Sequence, residues 1–242
     1  MQQLDLLAIV VSEADALATA ARAAGPDAPV DTCPEWNVAK LVKHTGTTHR
    51  WARAVVASGG PVAPGSIDLD FPVDPSELPG WLVAGAAVFA AEAGVADQEA
   101  PCWSWGADQH VRFWPRRMAH ETAVHRWDAQ AVVGAPEPLD GALAVDGLDE
   151  LFENLAFHPT LSGIRGSGES LHLHATDREG EWLLRRTDTG VEVSREHGKG
   201  DVAARGAASD LLLFLLGRAD AGALEVFGNG TVLGEFRDSF RF

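Results

Sequence analysis

Arg116-Arg-Met-Ala-His-Glu-Thr-Ala-Val-His-Arg-Trp-Asp128 is the stretch on which the reading of this chain turns. Glu121 and His125 stand four residues apart. On a helix, positions i and i+4 share a face one turn apart, so both side chains can reach one ion without bending the backbone. His120 is five residues from His125 and points elsewhere on such a helix.

The surrounding sequence supports a helix from about Phe113 to Val133. Pro115 falls in its first turn, where proline is tolerated, and Gly134-Ala-Pro136 stops it. Upstream, residues 2–24 place Leu4, Leu7, Ala8, Val11, Ala14 and Ala18 at helical spacing, ended by Gly25-Pro26. Asn37 is a good N-cap for a second helix over 37–58, stopped by Gly59-Gly60-Pro61. Residues 61–75 are rich in Pro, Gly and Asp and predict a loop. Residues 75–95 predict a third helix, and 101–106 an irregular segment. Four helices with such connections predict an antiparallel bundle.

Residues 141–157 predict a connecting helix. The pattern changes after Phe157-His158-Pro159 and Gly163–Gly168. Leu171, Leu173 and Ala175 alternate with His172, His174 and Thr176, and 181–186 and 190–195 also predict short strands. Ala207–Leu216 predicts an apolar helix, 223–227 a strand and 231–236 a last short element. The expected fold class is α+β, with a four-helix bundle over residues 1–160 and a small α+β domain over 165–242.

Bulk properties exclude several functions. The net charge is −16, a poor match to nucleic acid or to anionic membrane surfaces. No uncharged apolar run reaches the roughly 18 residues of a membrane span. The opening MQQLD has no basic lead and is followed by Glu13, which is not a signal-peptide pattern. Cys33 and Cys102 are too few for a disulfide framework and fit a reducing, cytoplasmic setting. Lysine is confined to Lys40, Lys43 and Lys199 and tyrosine is absent, the bias of a GC-rich, actinobacterial type of genome.

The second helix supplies the missing ligand. His44 sits among Val38, Leu41 and Val42 and so faces the bundle interior. His49 lies about 140° further round the same helix and stays outside the ligand set. His44, Glu121 and His125 together make a His₂Glu set that leaves one position open, the catalytic form of a zinc site.

These segments resemble a known family. Cys33-Pro-Glu-Trp-Asn-Val-Ala-Lys-Leu-Val-Lys-His44 and the Arg117–Ala129 block are similar to paired blocks of the mycothiol-dependent maleylpyruvate isomerases. Trp103-Ser-Trp-Gly106 resembles that family's aromatic segment. The resemblance implies a DinB-like four-helix bundle and a sterol-carrier-protein-like C-terminal domain. It also implies a divalent metal on His44, Glu121 and His125. Leu211-Leu-Leu-Phe-Leu-Leu-Gly-Arg218 resembles the family's stretch ending in an active-cleft arginine, so Arg218 is the candidate catalytic group for a substrate carboxylate.

The function so implied is a metal-dependent enzyme that uses mycothiol as a metal-held thiolate. It would isomerise a maleylpyruvate-like substrate or transfer the thiol to a small electrophile, as a monomer or homodimer. Two other readings stay open: a hydrolase using metal-bound water, and a non-catalytic binding protein with a structural metal. Asp128 is placed to orient His125, and His49 and Arg117 flank the ligands. Trp103 and Trp105 are candidate pocket residues. Cys33 reads as loop packing. His172 and His174 share a strand face, which is either a metal-binding pair or, the preferred reading, a solvated face.

Overall fold

A computed structural model describes residues 4–240. The chain forms two compact units, Met1–Ser104 with Asp108–Glu137, and Trp105–Ala107 with Pro138–Phe242.

The first unit holds four helices, α1 (Leu6–Ala24), α2 (Val38–Ser58), α3 (Leu78–Val95) and α4 (Phe113–Val132). The Asp5 side chain caps α1 by accepting from the Ala8 amide. The helix expected from residue 2 therefore starts four residues later, and residues 2 and 3 lie outside those described. Asn37 caps α2 as its sequence predicts, accepting from the Lys40 amide, and Gly59 closes it in the left-handed region that favours glycine. A single 3₁₀ turn, Pro75–Glu77, leads into α3.

α1 packs on α3 and α4, and α2 packs on α3 and α4. Buried Arg126 of α4 is tied to Glu13 of α1 at 2.7 Å. Pro75–Val95 is long and apolar enough by composition to cross a membrane. Its Leu78, Leu82, Ala86, Phe89 and Ala93 are buried in the bundle.

Glycine sets the α2–α3 contact. A β-carbon at Gly46 would lie 2.1 Å from the Trp81 ring, and one at Gly85 would lie 2.2 Å from the Arg50 guanidinium. Trp81 cannot easily yield. Its indole N–H donates to the Leu69 carbonyl at 2.9 Å, and Arg50 stacks 3.6 Å above its ring centroid.

The second unit contains α5 (Gly141–Glu153) and a five-stranded sheet in the order β3-β2-β1-β4-β5. The strands are β1 (Ser170–Ala175), β2 (Glu181–Arg186), β3 (Val191–Ser194), β4 (Val202–Gly206) and β5 (Glu225–Gly228). Among the described residues only the β1–β4 pair is parallel. Helices α6 (Ala208–Leu215) and α7 (Gly230–Ser239) pack on β1 and β4, and α5 packs on α6. Leu171, Leu173, Ala175, Trp182 and Leu184 form one buried face of the sheet. Strand β4 is the element that the sequence reading misses. It is five residues long, follows the glycines of the 198–200 loop, and runs almost directly into α6.

Two predictions test this packing. Helix propensity alone would make Gly46→Ala stabilising by about 1 kcal/mol. The Trp81 clash reverses the sign, so a urea melt should show a net loss of about 1–2 kcal/mol.

The second concerns His49. Burial pushes its imidazole down to about 4, against opposition from Glu121 and with help from Arg50. Between that value and the unfolded value near 6.5 the unfolded chain binds more protons, so stability rises with pH in this window. The His49 contribution should be complete above pH 6.5 and fall by on the order of 3 kcal/mol toward pH 4. His49→Gln should flatten that slope, and an unchanged slope would refute the assignment.

Candidate metal centre

His44 projects from the second turn of α2, and Glu121 and His125 from successive turns of α4. Packing of α2 on α4 brings them together. One ligand-capable atom from each lies within 4.8 Å of the other two. Glu121 Oε1 is 2.7 Å from His44 Nε2 and 3.2 Å from His125 Nε2. The His44 and His125 rings meet edge to face, their centroids 5.0 Å apart. Trp36 covers both, with centroids 4.8 Å from His44 and 5.9 Å from His125.

The surroundings fix these three groups. His125 Nδ1 is 2.9 Å from Asp128 Oδ2, which leaves Nε2 turned to the cluster. Asp128 is itself fully buried. It accepts from the Thr32 hydroxyl at 2.6 Å and from the Cys33 thiol at 3.5 Å. The 31–36 loop thus braces the carboxylate that braces the imidazole. Arg117, one turn before Glu121, pairs with Oε2.

The electrostatics follow from burial and these partners. Burial acts to raise the Glu121 carboxyl. The Arg117 charge and the hydrogen bonds from His125 and His44 outweigh it and hold the group well below the usual carboxylate range. Burial acts to lower His125, but Asp128, Cys33 and Glu121 stabilise its protonated form and lift it well above the ordinary imidazole value. The group is thus an anion flanked by imidazoles, a donor set that a divalent cation would satisfy in place of protons. Exposure is uneven. The His125 side chain is 8% exposed and Glu121 15%, but His44 is 37% exposed, so the cluster has one wet side.

Other residues singled out in the sequence lie elsewhere. His49 Nε2 is 2.8 Å from the Thr122 hydroxyl, and its ring stacks near Phe89. Trp103 joins an aromatic cluster with Trp51 and Trp114. Trp105 packs against His158 in the second unit. Arg218, just past α6, donates to the Leu216 carbonyl at 2.8 Å. His172 is only 5% exposed, so the solvated strand face expected for it is wrong. Thr32 and Cys33 are the residues that the sequence reading underrates. They act through Asp128, some 95 positions away, and no local pattern signals that.

The Mycothiol maleylpyruvate isomerase N-terminal domain matches residues 7–130, and the MDMPI C-terminal domain matches residues 142–235. The chain therefore belongs to the mycothiol maleylpyruvate isomerase family. A crystal structure of the mycothiol-dependent maleylpyruvate isomerase shares the fold at a TM-score of 0.63 and 12% identity, covering 91% of this chain and 90% of that one. A histidine-to-alanine mutant of that enzyme gives 0.64 and 11%, covering 92% and 91%. No curated protein is similar enough in sequence to count as a match.

The bracing of His125 is directly testable. Asp128→Ala should weaken divalent-metal binding about 10- to 100-fold in a competition titration, with helicity unchanged. An affinity equal to that of the wild type would show that the Asp128–His125 contact does not serve the site.

Proposed function

We propose that this member of the family is a metal-dependent enzyme that uses mycothiol as a nucleophile on a small electrophile, with His44, Glu121 and His125 as the metal ligands. The observation that carries the reading is the convergence of these three donors on a cluster with one exposed side. A bound ion of the zinc type would supply Lewis acidity that holds a thiol sulfur as thiolate at neutral pH.

The chain's own groups prepare the site. Asp128 fixes the His125 ring so that Nε2 serves as donor. Arg117 neutralises the Glu121 oxygen that the imidazoles do not contact. Trp36 shields the rings on one side, and His44 is 37% exposed, so thiol and substrate would approach from that edge. Arg218 is assigned to a carboxylate of substrate or thiol, which its planar fork suits.

The paired and strongly acidic carboxyl of Glu121 makes it a poor general base, which disfavours a hydrolase. The reaction is isomerisation of a maleylpyruvate-like cis-alkene or S-transfer of the thiol. The protein works in a reducing cytoplasm, where its two buried thiols persist.

The test combines metal content with turnover. Glu121→Ala and His125→Ala should each lose one tightly bound metal equivalent and all mycothiol-dependent consumption of maleylpyruvate or of a model electrophile. Arg218→Ala should keep the metal and lower kcat/KM about 10- to 100-fold, the effect of losing a charge-assisted hydrogen bond. Turnover that survives the loss of metal would overturn the reading.

A further inference from the structure

A second cluster of imidazoles and a carboxylate lies in the other unit, on the sheet face opposite the leucines. Strand register builds it. His174 of β1 is paired directly with Glu181 of β2, and His172 precedes His174 by two residues, so all three share a face. The connection from β3 to β4 brings His197 over them. Its glycines make that approach possible. A β-carbon at Gly200 would lie 3.0 Å from the His172 amide nitrogen, and one at Gly198 would lie 2.8 Å from Leu183.

The contacts are those of a donor set. One atom each of His172, Glu181 and His197 falls within 4.8 Å of the other two. The His172 and His197 rings meet edge to face at 5.1 Å. Glu181 Oε1 contacts both His174 Nδ1 and His197 Nδ1, the latter at 3.2 Å. Glu181 Oε1 thus serves two of the three imidazoles, and neither contact reaches His172. His172 is left over. It is 95% buried, and its Nε2 has no hydrogen-bond partner. An orphaned buried polar nitrogen is costly and calls for a partner.

We infer that His172, Glu181 and His197 form a second divalent-metal site, of the zinc type, in the C-terminal unit. His174 is a positioning residue that holds Glu181 through Oε1. Imidazole nitrogens with one carboxylate suit zinc and its first-row neighbours over calcium or magnesium. The ligands come from two adjacent strands and from the 195–201 connection, so the ion would pin that connection onto the sheet. The side chain of His197 is 81% exposed, so this ligand meets the site from the solvent side.

The experiment uses the full chain with zinc as the only added ligand, metal content being read by mass spectrometry after dialysis. Wild type should hold two equivalents. Glu121→Ala should hold one, and Glu121→Ala combined with His197→Ala should hold none. The exposure of His197 makes its replacement harmless to folding, which circular dichroism checks. Zinc added to Glu121→Ala should also slow amide exchange across residues 195–201, and the His197→Ala change should abolish that protection. A wild type that holds one equivalent, lost on His197→Ala and retained in Glu121→Ala, would support this site and sink the α2–α4 one. Glu121→Ala protein that binds no zinc, or zinc that survives His197→Ala in it, would overturn the inference.

Discussion

The mostly enclosed carboxylate of Glu121 is the constraint around which the first unit is arranged. A charge so placed is tolerated only when it is paired and fully hydrogen-bonded. Arg117 meets one oxygen, and His44 and His125 meet the other. His44 comes from a different helix, so satisfying Glu121 also fixes how α2 lies against α4. The glycine contacts at Gly46 and Gly85, which bring α3 close against α2, and the Arg126–Glu13 pair, which ties α1 to α4, hold the other helices in register with that pair.

Much of this was legible in the sequence. The Glu121–His125 spacing, the Asn37 cap, the Gly59 stop and the alternation after Ser170 are local patterns with local physical causes. They yielded the helical bundle followed by an α+β unit. The rest depends on distant parts of the chain. Nothing near Asp128 indicates that Thr32 and Cys33 would hold it. Strand β4 was too short and too close to α6 to stand out. His172 and His197 are 25 positions apart in sequence. Their meeting requires the β1–β2 register and a glycine at 200, where backbone leaves no room for a side chain, which only the folded chain displays.

Family membership and chemistry are separate questions here. The solved relatives are 11–12% identical, which carries the fold and not the reaction. The proposal of thiol chemistry therefore draws on the family match for the thiol and on the site for the metal: two imidazole donors and one carboxylate, a braced His125 and a wet edge at His44. The same ligands without the open edge would describe a structural ion. Without Arg117 and its neighbours, Glu121 would be a candidate base. The open edge speaks against a purely structural ion, and the thiol-dependent reading is the proposal that also draws on the family match.

The most direct measurement is zinc X-ray absorption on the His197→Ala protein loaded with one equivalent, before and after addition of mycothiol. The account predicts a shell of nitrogen and oxygen alone at first. With the thiol, one sulfur should appear at about 2.3 Å. A zinc shell that never gains sulfur at saturating thiol would contradict it.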